Sequence, residues 1–504
     1  MAAAGFLGID IGTSACKAAL VDEAGAVIAT ATAEYPLEIP QPGWSQQRPE
    51  DWWEGACAAV TELRAAAPDA EVKGIGLSGQ MHGLVALDRA DQVIRPAILW
   101  NDMRNPAECE EVRQAAGGID GLVELSNNDM VIGYTGGKLL WLRRHEPDNF
   151  ERMALFLNPK DYILLRLTGA RSTEVSDASG TGLFDVRKRR WSAELIDKLG
   201  LDMAVFPKAL ESDQVAGELG AEAAARMNLP AGLPVVAGGG DGVCQSTGSG
   251  VIRPGVFQTI LGTAGIVACA LDEPVRNDGG RLQVFCNNGA ALWHCMGGTI
   301  SAGAALAWLR RLLASAHGLR PEEMSYAAMM ERAAAAPPGA AELFFLPYLQ
   351  GERCPYENPN ARGSFIGLNL KHDAGHMIRA VIEGVTYSLG HIAALMRERG
   401  VSGDVAIASG GGAASVLWRQ IQADVLGCEV TTVSGADAGA AYGAALLAGV
   451  GCGHWQDLAA ACAGVKEDSR LAPVAAHAAL YKEGLARHAE LYRLLEPAYP
   501  AQAS

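Results

Sequence analysis

Two short stretches of this chain, roughly half its length apart, share one pattern: an apolar run, a Gly-Thr turn and an apolar return. The first is Phe6-Leu7-Gly8-Ile9-Asp10-Ile11, then Gly12-Thr13-Ser14, then residues 17–21, closed by Asp22-Glu23-Ala24-Gly25. The second is residues 255–261, then Gly262-Thr263-Ala264-Gly265, then 266–270. Short apolar runs bounded by turn residues predict β-hairpins. A hairpin repeated at half-chain spacing in 504 residues predicts a duplicated, two-domain architecture.

Three further apolar runs each lead into a glycine-bounded loop. Residues 72–77 run into Ser78-Gly79-Gln80-Met81-His82-Gly83. Residues 233–237 run into Gly238-Gly239-Gly240-Asp241-Gly242, and 405–408 into Ser409-Gly410-Gly411-Gly412. Helices are predicted over 49–67, 137–144, 160–167, 415–426, 437–448 and 477–495. The tail after Leu495 is small and polar, and it is predicted to be disordered. Hairpins mixed with strand–glycine–helix units give an α/β fold class.

Composition narrows the function classes. Apolar residues make up 49%, enough for sizeable cores, and the 60 glycines exceed the usual ~7% share. The net charge of −16 opposes long-range attraction to nucleic acid or an anionic membrane, so neither partner is expected. Eleven cysteines without a C-x-x-C pair fit a reducing, cytoplasmic setting better than a disulfide or zinc framework. Residues 282–309 lack Lys, Arg, Asp and Glu. Gln283, Asn287, Asn288, His294 and several glycines nevertheless break that stretch, so it does not read as a membrane span.

The loops carry the chemistry. Gly12-Thr13-Ser14 directs backbone N–H groups and two hydroxyls toward one spot, a nest for phosphate oxygens to which Lys17 would add a cation. Asp10 makes sense beside phosphate if a divalent cation, held through water, stands between them. The same residues also read as an ordinary polar hairpin turn. Gly262-Thr263 follows the same logic without an acid. Three glycines at 410–412 before a helix admit a flat ligand close to the backbone, or form a plain flexible turn. Asp241, at the end of a buried strand among small residues, is placed as a general base or as a helix cap. Met81, His82, Asp102 and the adjacent Trp100-Asn101 offer groups suited to a polyhydroxylated ligand, although a lone histidine is more often structural.

Taken together these motifs resemble the FGGY family of carbohydrate kinases, within the actin/hexokinase/Hsp70-type ATPases, most closely its xylulose-phosphorylating members. The resemblance spans residues 8–449. It is carried by G-I-D-I-G-T-S (8–14), G-Q-M-H-G (79–83), R-P-A-I-L-W-N-D (95–102), P-K-D-Y-I-L-L-R-L-T-G (159–169), P-V-V-A-G-G-G-D (234–241), L-G-T-A-G (261–265), F-L-P-Y-L-Q-G-E-R-C-P (345–355) and G-G-G-A (410–413). Gly133, Thr135, Lys138 and Trp141 fit one spaced family pattern. Gly363, Phe365, Gly367, Leu368, His376, Ala380 and Glu383 fit another.

The resemblance implies two ribonuclease-H-like domains around a deep cleft, 1–248 mainly sugar-binding and 249–504 mainly ATP-binding. It implies ATP-dependent transfer of the γ-phosphoryl group to O5 of a ketopentose, D-xylulose in the first place. Another ketose or polyol as acceptor, or a silent sugar sensor, stands as the alternative. In this scheme Asp241 is the catalytic base and Asp10 helps position Mg²⁺. Thr13, Ser14, Lys17, Gly262 and Thr263 hold phosphates, Gly411 and Gly412 line the adenosine pocket, and Met81, His82, Asp102 and Asp241 meet the sugar. A homodimer is suggested by family analogy. Two positions depart from the family pattern: Gly242 stands where Asn is common, and Ala264 where Ser is common.

Overall fold

The structure, a computed structural model, describes residues 4–434 and 439–499. Its packing divides the chain into two units. One comprises Met1–Ile252, Ala270–His294 and Ser434–Lys466; the other comprises Arg253–Cys269, Cys295–Val433 and Glu467–Ser504.

The first unit is built on a mixed sheet. Its strands are β1 (Ala4–Ile11), β2 (Ala15–Asp22), β3 (Val27–Glu34), β4 (Glu71–Gly79), β5 (Val215–Glu218) and β6 (Pro234–Val236), in the spatial order β5-β6-β4-β1-β2-β3. A two-residue strand, β7 (Gly239–Gly240), also pairs with β4. β1 and β2 form the predicted hairpin, and β1 runs parallel to β4. Leu7, Ile9, Ile11, Leu20, Ile75 and Leu77 are buried, as a sheet covered on both faces requires.

Helix α1 (Pro49–Ala66) starts with proline at its first position and acids in its first turn, and it buries Trp52, Trp53, Val60 and Leu63. α2 (Thr135–His145), α3 (Pro159–Thr168), the short α4 (Val175–Ser179) and α5 (Asp241–Gly248) complete the parts of this unit that carry candidate residues. A capping box at Asn158 and Asp161 opens α3, and Gly169, at a positive φ of 78°, ends it.

The second unit repeats the scheme. Its sheet runs through β9 (Gly265–Leu271), β8 (Gly255–Leu261), β10 (Gly403–Ser409), β11 (Glu429–Val433) and β12 (Glu467–Leu471), in that order. β8 and β9 are the second hairpin, and β8 runs parallel to β10. Thus each hairpin has its first strand parallel to a strand that ends in a glycine loop. Helices α6 (Gly303–Ala316), α7 (Ala374–Arg397) and α8 (Val416–Leu426) pack in this unit. The sequence reading assigned neither α6 nor α7, although α7 runs for 24 residues.

The chain then re-enters the first unit. α9 (Gly439–Gly451) lies against β1 and β4. The predicted helix over 437–448 therefore appears from Gly439 onward, and its first two residues lie outside the described residues. Its close approach depends on missing side chains. A Cβ on Gly8 would lie 1.8 Å from the Ala441 carbonyl oxygen, and one on Gly76 would lie 1.9 Å from that of Ala444. Part of the glycine excess thus serves helix-on-sheet packing rather than turns. At the C-terminus, Glu496–Ala498 forms a short helical turn, with the Tyr492 hydroxyl 3.0 Å from Glu496. This corrects the expected disorder over the first residues of the tail; 500–504 lie outside the described residues. Among the described residues, no helix is long and apolar enough to cross a membrane.

Candidate functional site

Strand register assembles the acids of the first unit. Asp10 pairs with Lys17 on β2 and with Ser78 on β4, and Ser78 pairs with Gly239 on β7. Asp10, Ser78 and Gly239 thus stand side by side on adjacent parallel strands. Asp241, two residues further on, opens α5 as its first residue. It is not the cap, a position held by Gly240.

The Asp241 carboxylate accepts the Gly242 N–H at 2.7 Å. Burial, and next the charge of Asp10, push its carboxyl up to about 7, against the pull of that N–H. Burial also lifts Asp10, to about 6, with the Ser78 hydroxyl and Lys17 offsetting part of the rise. The charge of Asp10 thus adds to the cost of ionising Asp241 at this end of the sheet. Asp10 Oδ1 is buried without a hydrogen-bond partner.

This donor set bears on Mg²⁺. Among the described residues, no group of three or more His, Cys, Asp or Glu is arranged to hold a metal. A single buried hard oxygen with an open lone pair still fits a cation that keeps most of its waters and takes phosphate oxygens as further ligands.

The turn after Asp10 is braced from below. The Tyr35 hydroxyl donates to the Gly12 carbonyl at 2.6 Å, and Gln47 Nε2 donates to the Thr13 carbonyl at 2.8 Å. Thr13 Oγ1 donates to Gln80 at 3.2 Å and accepts the Trp100 indole N–H at 2.9 Å. The Thr13 hydroxyl is thus engaged within the turn, while Ser14 is exposed. Gln80, and Gln47, which the sequence reading did not single out, are joined at 3.1 Å and hold this turn in shape.

Met81 and His82 sit between two glycines. A Cβ on Gly240 would lie 2.6 Å from the Met81 sulfur, and one on Gly180 would lie 2.7 Å from the His82 ring. His82 adopts a positive φ of 69°, unusual for a side-chain-bearing residue. Its ring Nδ1 is 2.6 Å from the Gly180 carbonyl oxygen, and the ring centroid lies 4.7 Å from that of Tyr134, tilted by 31°. Its own carbonyl accepts from Lys138 at 2.7 Å and from Thr135 at 3.1 Å. The Thr135 and Lys138 pattern thereby gains a physical meaning: it holds the strained backbone of the Met-His loop. Burial lowers the Lys138 ammonium to about 7, with Asp102 pulling the other way.

Asp102 is fully buried, and both of its oxygens are in use. It accepts the Ser45 N–H at 2.6 Å, the Arg104 N–H at 2.9 Å, and the Arg104 guanidinium at 2.8 and 2.7 Å. Arg104 in turn lies 3.8 Å over the Trp44 ring and 4.9 Å from that of Trp141. Removing one partner of such a pair typically costs about 3–5 kcal/mol.

In the second unit, the residues singled out at 262–263 and 411–412 come together. Gly262, Thr263, Gly411 and Gly412 line one cavity of about 1250 Å³ with Trp308 and Tyr326. The start of α6 supports the turn. Gly303 N–H donates to the Gly262 carbonyl at 2.9 Å, and Ala302 N–H to that of Thr263 at 2.9 Å. On the facing loop, Gly410 has a φ of 79°, and Ser415 caps α8 by accepting the Trp418 N–H at 3.2 Å. Trp308 and Tyr326 escaped the sequence reading; the apolar helical spacing of 303–316 was the signal for Trp308, and Tyr326 opens the separate helix Tyr326–Ala335.

Comparison with known proteins supplies the deciding observation. The model of the FGGY family of carbohydrate kinases, N-terminal domain, matches residues 6–248, and that of its C-terminal domain matches residues 258–452. The chain belongs to the FGGY family of carbohydrate kinases. Within this family it is 37% identical over 454 residues to a xylulose kinase of Bacillus subtilis, covering 90% of this chain and 89% of the relative. Among solved structures, a xylulose kinase from Rhodospirillum rubrum shares 32% identity at a TM-score of 0.90, covering 98% of this chain and 99% of that one. A gluconate kinase from Lactobacillus acidophilus shares 26% identity at a TM-score of 0.91, covering 99% of each chain. As an FGGY carbohydrate kinase the protein takes ATP as phosphoryl donor, and its fold is that of the actin/hexokinase-like ATPases, as the sequence motifs implied.

Proposed function

We propose that this FGGY kinase phosphorylates D-xylulose at O5, giving D-xylulose 5-phosphate and ADP. The observation that carries the reading is the half-buried Asp241 carboxylate, near Asp10 at the strand ends and flanked by the Met81–His82 loop. The similarity to xylulose kinases from two bacteria supports the choice of sugar.

In this reading the first unit holds the acceptor, with Met81, His82 and Asp241 against it. Asp102 shapes that wall through Ser45 and Arg104. The second unit holds the nucleotide, its adenosine in the cavity beside Gly411 and Gly412. The amides of the 12–14 turn, with Lys17, are suited to phosphate oxygens, and so, within its own unit, are those of the 262–263 turn. Asp241 accepts the proton of the attacking hydroxyl. Its raised basicity suits that task, because a base works best with a pKa near the operating pH. Phosphoryl transfer is otherwise positioning and charge neutralisation, which fixed backbone amides supply without reorganisation. Asp10 would hold Mg²⁺ through water, and the cation would neutralise phosphate charge.

A specific observation favours a second acceptor class. A Cβ on Gly242 would meet nothing within 4 Å, so the position next to Asp241 is open to a bulkier ketose, polyol or sugar acid. A coupled ADP-release panel with ATP and Mg²⁺ over pentuloses, hexuloses, polyols and aldonates decides between them. D-xylulose should give the highest kcat/KM, and omission of Mg²⁺ should abolish turnover. A hexulose or gluconate outrunning D-xylulose would overturn the assignment of the sugar.

A further inference from the structure

We infer that Ser176 is a positioning residue for Asp241, acting through a buried polar network that no step above uses; this rests on Asp241 being the base. Ser176 lies in α4, and it is fully buried along with Glu174, Asp177, Lys160 and Asp161. Its hydroxyl accepts the Gly240 N–H at 2.9 Å and donates to Glu174 at 2.7 Å. Gly240 immediately precedes Asp241 and caps α5. The hydroxyl therefore ties the peptide entering Asp241 to a carboxylate on another element.

Glu174 is itself fixed. It accepts the backbone N–H groups of Ser176 and Asp177 at 2.6 and 2.7 Å, and the Ser212 hydroxyl at 3.0 Å. Lys160 lies 2.6 Å from Asp161, 3.2 Å from Asp177 and 3.8 Å from Glu174. It also donates to the Ala237 carbonyl at 3.2 Å. The backbone leading to Asp241 is thus pinned at Ala237 by Lys160 and at Gly240 by Ser176. From its other edge, Ser78 and Gly79 of β4 pair with Gly239 and Gly240.

A buried cluster of three carboxylates around one lysine is costly to build, and breaking it by removing one partner costs more than the pair returns. Such a cluster gains nothing for a two-residue strand that a hydrophobic contact would not give. What it does provide is directional constraint. The far end of α4 reaches the other wall: Gly180, the residue after α4, offers its carbonyl to His82 at 2.6 Å. One five-residue helix therefore spans the distance between the Met-His loop and Asp241 and holds both to the same frame.

A base that takes a proton late in the reaction loses rate steeply with small displacement, by about 10² for roughly 1 Å. The test is steady-state kinetics with D-xylulose and ATP on wild type, Ser176→Ala, Ser176→Cys and Asp241→Asn. The expected result is a kcat about 10- to 100-fold lower in Ser176→Ala, with KM for both substrates within about twofold, and an intermediate kcat in Ser176→Cys, whose thiol is a weaker partner. A kcat within about twofold of wild type in both serine variants, while Asp241→Asn is inactive, overturns the positioning role and leaves the base assignment standing. Retained turnover in Asp241→Asn overturns the base assignment instead. If Ser176→Ala does not fold, Ser176→Cys, which keeps a polar group at the γ position, decides on the same criterion.

Discussion

The two hairpins have one backbone and two chemistries. β1 turns at Gly12 and returns antiparallel as β2, with β4 parallel on its other side. β8 turns at Gly262 and returns as β9, with β10 parallel on its other side. Two residues before each turning glycine, the correspondence breaks. Asp10 stands opposite Lys17 and beside Ser78, whereas Ile260 stands opposite Ile266 and beside Ser409. The same geometry thus presents an acid with a buried open oxygen in one unit and an aliphatic pair in the other. In the proposed reading the backbone amides of both Gly-Thr turns receive phosphate, and the acid stands only on the side where a cation and a proton acceptor would act. The acid-bearing hairpin also has Asp241 beside it, and its counterpart leads into an apolar cavity suited to a nucleobase.

The strongest way to break this contrast is Asp241→Asn. If the acid-bearing side alone carries proton transfer, kcat falls by about 10² or more while ATP affinity, measured by calorimetry without acceptor, is unchanged. Loss of ATP affinity in step with kcat would show that the first unit's acids serve the nucleotide instead.

A milder change makes the two hairpins alike. Ile260→Asp puts an acid at the equivalent place in the second unit, where no lysine opposes it. An uncompensated carboxylate beside the proposed phosphate site should weaken ATP binding by about tenfold and leave the acceptor KM unchanged. Unaltered ATP affinity would mean that the second turn does not receive phosphate.

Much of this contrast was legible before any coordinates. The hairpins, their turning glycines, the strand ends carrying Asp10 and Asp241, and the glycine loop at 410–412 all stand on local signals: short apolar runs, Gly-Thr turns and glycine triplets. The strand pairing was less visible. That Asp10, Ser78 and Gly239 share a row depends on register between strands some 70 and 160 residues apart, which no local pattern encodes. The identity of α9 as a first-unit helix was hidden for a similar reason. Its alanines and glycines lack a polar face, and the sense of Gly8 and Gly76 emerges only when α9 packs on them. Asp102 looked like a ligand because its motif is polar, yet its hydrogen bonds go to Ser45 and Arg104. The Lys160 cluster sits inside a motif quoted for its family likeness, and its role in holding Gly240 depends on Ser176, which no local pattern singles out.

The smallest expected effect concerns how the units respond to acid. The second unit holds an imidazole pair, half-buried His391 against buried His488: His391 Nε2 lies 3.1 Å from His488 Nδ1, while His488 Nε2 lies 3.2 Å from the Phe345 carbonyl oxygen. A carbonyl only accepts, so His488 carries its proton on Nε2 and accepts from His391 through Nδ1. Protonating His488 would set two N–H groups against each other in a site walled by Tyr348, Tyr387 and Tyr356. Burial lowers His391 to about 4, with Arg493 adding to the effect, and drives His488 well below the usual imidazole range. In the first unit, His294 is lowered to about 4 by burial alone and has no such imidazole contact. For all three the unfolded chain takes up protons at a pH where the folded chain does not. The contribution of these three groups to stability is therefore complete above about 6.5, the ordinary histidine value, and falls as pH drops from there toward 4. With two of the three groups in the second unit, its unfolding midpoint in urea should fall more steeply between pH 7 and 5 than that of the first. His391→Leu should flatten the slope by removing one titrating group and the N–H that would oppose protonated His488. An unchanged slope in that variant would show that the pair does not set the acid sensitivity of its unit.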